Sequence, residues 1–174
     1  YWAGKGANMK RLLLDTNIYG LIVVDTERNT IHGRMHKNKE VLLIYGFSII
    51  RNELRDVPKK IRQKGRKLRV DLLSTYDEFV KKNYSLNKEI SILAEDYFEL
   101  YRQFGGSISK NKIINDFLIV ACASLHDLDL VVSEDNHSML TDNALRAYKN
   151  VNKIKELKLP DFISYEDFKN ELKK

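Results

Sequence analysis

Short runs of apolar residues that end abruptly at polar residues recur along the chain. They occupy positions 12–14, 41–45, 128–132 and 162–163. Each run is too short for a stable helix, and a continuously apolar run is typical of a strand that is buried on both faces of a parallel sheet. The pattern therefore predicts at least four buried strands, with Gly46 ending the second of them.

Between these runs, apolar residues recur at three- and four-residue spacing, which predicts helices. The helices are expected over positions 68–80, 90–101, 112–126 and 139–148, with a last one after Ser164. Ser48 is the predicted N-cap of a further helix, which carries Glu53 and ends before Pro58. The third helix is apolar on nearly every face between positions 117 and 123, so it should be the most buried.

Buried strands that alternate with helices predict a three-layer α/β/α sandwich with a mostly parallel central sheet. The polar stretch at positions 25–39 gives no clear assignment. We interpret residues 1–8, which are polar and glycine-containing, as an artificial tail, and residues 9–174 as a single domain.

Composition narrows the class of protein. The chain has 174 residues, of which 43% are hydrophobic and only 2 are proline, so a disordered or collagen-like chain is excluded. The longest apolar stretches are shorter than the ~18 residues of a membrane span, and no membrane association is expected. The single cysteine, Cys122, excludes an internal disulfide framework and favours a reducing, cytoplasmic location. We interpret Cys122 as a small core residue.

Four acidic residues stand where the predicted elements could bring them together. Asp15 ends the first strand, Asp135 follows the strand at 128–132, and Glu53 lies on the helix after the second strand. Asp116 is placed in the first turn of the most buried helix, where the helix dipole would favour its charge. Because ligands collect at the carboxyl ends of parallel strands, we expect these side chains to converge at one edge of the sheet.

Carboxylates at close range disfavour each other's ionisation unless a cation compensates them. Mg²⁺ and Mn²⁺ prefer oxygen ligands, screen a phosphodiester and lower the pKa of bound water. The four acids therefore predict a divalent-cation site.

The ordered set of sequence motifs resembles the four motifs of PIN domains. The matching segments are positions 12–17, Glu53, positions 115–121 and positions 130–135, and the resemblance extends from Met9 to the last helix. It implies a PIN-like sandwich and a Mg²⁺- or Mn²⁺-dependent endoribonuclease. The implied catalytic and metal-binding residues are Asp15, Glu53, Asp116 and Asp135.

The resemblance also implies supporting residues and partners. Asn17 and Ser133 would take the polar positions that orient the acids or the water. His137 stands where numerous family members carry another acid. It could bind manganese, act as a general acid or hydrogen-bond at the rim of the site, and we do not count it among the metal ligands. Many PIN domains are VapC-type toxins that are held by an antitoxin protein and that dimerise, so a toxin or an RNA-processing nuclease, acting as a homodimer, is implied.

A basic segment follows Glu53. Between positions 55 and 69 lie eight Lys and Arg residues, opposed only by Asp56, within a chain of net charge +6. Such a run is usually a solvated face, but here it should border the acidic site and contact RNA phosphates. The predicted RNA-binding residues are Arg55, Lys59, Lys60 and Arg62.

Alternatives remain open at this stage. Glu40 or Asp56 could replace Glu53, Glu134 is interpreted as a solvated neighbour of Asp135, and the pair His32 and His36 is weak evidence for zinc. A non-catalytic PIN-like nucleic-acid-binding module has the same motifs. A phosphoryl-transfer domain of the receiver or phosphatase type would need a lysine at a strand end, which the sequence lacks.

Overall fold

The computed structural model describes residues 8–174, so the predicted tail lies outside the described range apart from Asn8. The main sheet is formed by β1 (Lys10–Leu14), β2 (Leu42–Phe47), β5 (Asn83–Tyr84), β6 (Leu130–Val132) and β7 (Asp161–Ile163), and a separate hairpin by β3 (Arg62–Gln63) and β4 (Arg66–Lys67). The helices are α1 (Thr16–Val24), α2 (Arg28–Lys37), α3 (Ser48–Arg55), α4 (Leu68–Phe79), α5 (Lys88–Gln103), α6 (Lys110–Leu125), α7 (Asp142–Ile154) and α8 (Tyr165–Glu171). Within the described range, no helix combines the length and the apolar character needed to cross a membrane.

The five strands of the main sheet lie in the order β5-β2-β1-β6-β7, and every neighbouring pair is parallel. β1 is central, with Leu12 opposite Ile44 on one side and Leu130 on the other. Helices flank this sheet, and the predicted three-layer α/β/α sandwich is confirmed.

The core lies where the apolar runs predicted it. Leu12, Leu13 and Leu14 of β1 are fully buried. Every residue of α6 from Phe117 to Ser124 is buried, which confirms that this is the most buried helix. The ring of Phe117 packs edge-on against Tyr101 and Tyr148, which joins α6 to α5 and α7.

Several predicted boundaries differ from the structure. β2 continues through Gly46 to Phe47. Glycine is required at this position because a Cβ at Gly46 would overlap the hydroxyl of Tyr76. Ser48 is the first residue of α3 rather than its N-cap, and its hydroxyl accepts a hydrogen bond from the backbone N–H of Leu86 at 3.1 Å. That contact ties the segment after β5, a strand that the sequence did not predict, to the start of α3.

Two segments gain structure that the sequence left undefined, and one predicted helix has different bounds. The polar stretch at 25–39 contains α2, which buries Ile31 and Met35 against the core. α7 begins at Asp142, three residues later than predicted, and extends to Ile154. Between α3 and α4, the basic segment forms the β3–β4 hairpin.

Candidate active site

Pairing between β1 and β6 places Asp15 beside Ser133. Leu14 and Val132 are partners in register, and the backbone N–H of Asp15 donates to the carbonyl of Val132 at 2.9 Å. The hydroxyl of Ser133 donates to Asp15 Oδ2 at 2.8 Å, and the N–H of Thr16 donates to Asp15 Oδ1 at 2.8 Å. Asp15 is only 4% exposed, so both oxygens of a buried carboxylate are held by the end of the sheet.

The loop after β6 carries the second acid. Asp135 donates its backbone N–H to Ser133 Oγ at 3.1 Å. Its own Oδ1 accepts the backbone N–H groups of His137 at 3.1 Å and of Ser138 at 3.0 Å. The Asp135 side chain is therefore fixed by the turn that it begins.

Ser138 connects this loop to α6. Its Oγ lies 2.6 Å from Asp135 Oδ2 and 2.5 Å from Asp116 Oδ2. A hydroxyl has one hydrogen, so Ser138 donates to only one of these carboxyl groups. The other carboxyl group makes its hydrogen bond as the donor when it carries a proton. The two acids are thus joined through one serine.

Glu53 joins from the other side of β1. The hydroxyl of Thr16 donates to Glu53 Oε1 at 3.1 Å, while the backbone N–H of the same residue binds Asp15. We call the four acids and their bridging hydroxyls the carboxylate cluster; it consists of Asp15, Glu53, Asp116, Asp135, Thr16, Ser133 and Ser138.

Burial and neighbouring charges both act on the acids of the cluster. The pKa of Asp116 is raised to about 7, mainly by burial and to a smaller extent by the charges of Asp135, Asp15 and Glu53, against the opposing hydrogen bond from Ser138. Burial also raises the pKa values of Asp15 and Glu53, with smaller upward contributions from Asp135 and Asp15 respectively. The cluster concentrates negative charge that its hydrogen bonds only partly offset.

Comparisons with known proteins support this architecture. A scan against protein-family models and a search of curated proteins both find no match. Solved structures do match. A chain of VapBC2 from Rickettsia felis, bound to a promoter DNA fragment, has a TM-score of 0.58 at 14% identity over 88% of this chain and 98% of that chain.

Two further VapBC structures give similar values. DNA-bound VapBC from Salmonella typhimurium has a TM-score of 0.56 at 14% identity, over 90% of this chain and 99% of that chain. VapBC-1 from nontypeable Haemophilus influenzae has a TM-score of 0.55 at 14% identity, over 90% of this chain and 98% of that chain. The toxin subunit of such complexes is a PIN domain. The chain has a VapC-like PIN fold.

Within this PIN fold, the cluster fits a hard divalent cation by donor type and charge. Carboxylate oxygens are the ligands that Mg²⁺ prefers, and this ion keeps several of its waters, so it needs only one or two direct carboxylate contacts. Among residues 8–174, no three His, Cys, Asp or Glu side chains are arranged around a common point as ligands of one ion. Ser138 instead stands between Asp116 and Asp135.

The structure differs from two sequence-based expectations about the candidate site. Asp116 lies in the second turn of α6, which starts at Lys110, so the helix N-terminus does not support its charge. Asn17 is exposed and makes none of the cluster's hydrogen bonds; its neighbour Thr16 makes them. His137 is exposed at the rim and contributes its backbone N–H to Asp135.

Two residues of the carboxylate cluster were missed by sequence reasoning. The hydroxyl of Ser138 contacts Asp116 and Asp135, and the hydroxyl of Thr16 contacts Glu53. Their positions in the sequence could have indicated them, because Ser138 stands three residues after Asp135 and Thr16 directly follows Asp15. Glu134 is exposed, and its carboxylate accepts the backbone N–H of Tyr165 at 2.6 Å, which joins the site loop to the start of α8.

The predicted RNA-binding residues are all exposed. Arg55 ends α3, Lys59 and Lys60 lie in the connection to the hairpin, and Arg62 begins β3. None of the four takes part in a salt bridge within the described part of the PIN fold.

Proposed function

We propose that the chain is a Mg²⁺- or Mn²⁺-dependent endoribonuclease whose catalytic, metal-binding residues are Asp15, Glu53, Asp116 and Asp135. The observation that supports this most strongly is that four acids from four separate segments are linked in one hydrogen-bond network through Thr16, Ser133 and Ser138. Like charges at short range destabilise a fold, so their accumulation favours a role that uses a cation.

Each acid has a definite task in this proposal. A bound Mg²⁺ or Mn²⁺ supplies an acidified water and stabilises negative charge on the phosphate. Asp15 and Asp135 present oxygens whose directions are fixed by backbone N–H and serine donors. Asp116, with its pKa raised to about 7, donates a hydrogen bond to Ser138 Oγ when it is protonated and accepts one from that hydroxyl when it is ionised. Glu53 is oriented by Thr16 on the opposite side of Asp15.

The structural neighbours suggest a biological setting. They are toxin–antitoxin complexes, and two of them were solved with DNA. We extend the proposal to a cytoplasmic toxin that is held by an antitoxin protein and that acts as a homodimer; an RNA-processing nuclease would use the same site. A gene for a small antitoxin-like protein next to this one would support the first of these roles.

The second candidate function is a PIN-like module that binds nucleic acid without cutting it. The exposed cations after α3 fit such a role equally well. The hydrogen-bonded arrangement of all four acids favours the nuclease, because binding alone gains nothing from placing negative charge beside a polyanion.

The test is cleavage of labelled single-stranded RNA in Mn²⁺, in Mg²⁺ and in EDTA. We expect metal-dependent cleavage that Asp116→Asn lowers by more than ~100-fold. Asp96→Asn is the matched control, because Asp96 lies on α5 and pairs with Lys155 away from the cluster. Cleavage that persists in EDTA or in the Asp116 variant would contradict the proposal, and metal-independent RNA binding without cleavage would favour the binding module.

A further inference from the structure

The connection between α3 and α4 is strongly basic and lies outside the carboxylate cluster. Residues 59–67, which we call the basic hairpin, contain β3, β4 and the turn between them. The strands pair antiparallel, with Arg62 opposite Lys67 and Gln63 opposite Arg66. All of its residues are exposed except Gln63.

The turn of the basic hairpin places a cation at its tip. Lys64 and Gly65 have φ values of 49° and 76°, the two left-handed positions of a two-residue hairpin turn. Asn, Asp and Gly are the residues favoured there, so Lys64 occupies a position that disfavours a long side chain. Lys64 therefore lies at the tip of the hairpin.

Asp71 anchors the basic hairpin to the body of the protein. This carboxylate, in the first turn of α4, is only 5% exposed. It accepts Arg66 Nη2 of β4 at 2.8 Å and Arg28 Nη1 of α2 at 3.3 Å. An isolated two-stranded hairpin of this length is marginally stable in water, so its orientation depends on such an anchor.

The structure divides the cations of this region into two groups. The first group has protein partners. The guanidinium group of Arg66 donates to Asp71, that of Arg69 to the carbonyl of Arg55, and that of Arg62 to the carbonyl of Gly65. The second group has no side-chain hydrogen bond and no ion pair to any residue in the range 8–174. Its members are Arg55, Lys59, Lys60, Lys64 and Lys67.

The basic hairpin follows α3, the helix that carries Glu53. Arg55 stands two residues after Glu53 on α3, and Arg69 Nη1 at the start of α4 donates to the carbonyl of Arg55 at 2.9 Å. The basic hairpin thus begins six residues after Glu53, and the hydrogen bond of Arg69 joins the start of α4 to the end of α3.

We infer that the basic hairpin is an orienting arm for the phosphate backbone of the RNA substrate, contacted by Lys59, Lys60, Lys64 and Lys67, with Asp71 as its positioning residue. The inference rests on the proposed nuclease function. The acidic cluster would repel RNA unless positively charged side chains nearby held it. Lysine ammonium groups are point charges that contact phosphates without reading bases. The arm therefore predicts affinity that is insensitive to sequence and strongly sensitive to salt.

The first test measures binding of single-stranded RNA in EDTA, so that cleavage is not needed. Lys64→Asn keeps a residue that the turn favours and removes only the charge. We expect roughly two- to fivefold weaker binding and a salt slope smaller by about 0.7. The triple variant Lys59→Gln, Lys60→Gln, Lys67→Gln should bind roughly 10–100-fold more weakly. Lys149→Gln with Lys153→Gln, both exposed on α7, is the matched control and should bind as wild type.

The second test separates position from charge. Asp71→Asn raises the net charge by one, so a surface that acts through charge alone would bind RNA as tightly as wild type or more tightly. An arm that depends on its anchor should bind RNA at least roughly twofold more weakly, although the protein has become more basic. Circular dichroism and thermal unfolding check that the variant is folded, and Lys64→Asn tests the arm independently if it is not.

The outcomes distinguish this inference from the proposed function. If wild type cleaves RNA while the lysine variants keep wild-type affinity and salt slope, the arm is overturned and the nuclease stands. If wild type binds RNA in EDTA and loses that binding with the lysines, but never cleaves, the arm stands as an RNA-binding surface and the nuclease fails. If the lysines govern binding of poly-glutamate and not of RNA, the surface serves an acidic protein and the inference is wrong.

Discussion

Ser138 Oγ lies 2.5 Å from Asp116 Oδ2, although the two residues belong to different elements that are separated by 22 positions in the chain. The same oxygen is 2.6 Å from Asp135 Oδ2. This serine holds together two carboxyl groups that would otherwise repel each other. The stability of the protein should therefore depend on Ser138, on the charge of Asp116 and on cations.

Asp116→Asn should stabilise the protein in EDTA, and the gain should grow with pH. Burial and neighbouring carboxylates raise the pKa of Asp116 from 3.8 to about 7. A raised carboxyl pKa means that wild-type stability is fully present below pH 3.8 and declines as pH rises towards about 7, whereas the asparagine does not titrate. Thermal unfolding of both proteins at pH 4, 6 and 8 measures the difference. An advantage that is independent of pH would contradict the prediction.

Divalent cations should raise the unfolding temperature of the wild type. A ligand at one hundred times its dissociation constant stabilises the folded state by about 2.7 kcal/mol, which for a chain of this size is roughly 5–10 °C. Thermal unfolding in increasing Mn²⁺ or Mg²⁺ gives the measurement. Asp116→Asn should lose most of this response, while Asp96→Asn should keep it; an equal response in all three proteins would place the cation elsewhere.

Ser138→Ala should destabilise the protein in EDTA. The substitution removes the one hydroxyl that lies between two part-buried carboxyl groups, at an expected cost of ~1–3 kcal/mol. Chemical denaturation measures the change in the free energy of unfolding. Ser107→Ala is the control, since Ser107 is exposed in the loop before α6 and should change stability by less than about 0.5 kcal/mol.

Two glycine-to-alanine substitutions should have opposite effects. A Cβ at Gly46 would overlap the side chain of Tyr76 and approach Val80 Cγ1 to 2.8 Å, so Gly46→Ala should cost ~1–3 kcal/mol. Gly33 lies in α2 with no atom within 4 Å of an added Cβ, and Gly33→Ala should stabilise by ~0.5–1 kcal/mol. Unfolding curves of both variants provide the comparison. If Gly46→Ala were neutral, the close approach of Tyr76 to β2 would be wrong.

Much of the fold could be predicted because the apolar runs are long enough to identify buried strands. β1, β6 and β7 lie within or next to the predicted runs. The two-residue strand β5 and the β3–β4 hairpin were not predicted, since they are polar and bury little apolar surface. Their positions depend on partners elsewhere, such as the backbone of Gly46 for Asn83 and the carboxylate of Asp71 for Arg66.

The sequence by itself indicated that Asp15 and Asp135 could meet, because a parallel sheet brings the carboxyl ends of its strands to one edge. It placed Asp15 and Asp135 beyond two strands that the structure shows to be neighbours. Only the tertiary structure decided how the acids are joined. The bridges by Ser138 and Thr16 depend on side-chain directions across elements distant in the chain, and hydrophobic periodicity carries no information about those directions.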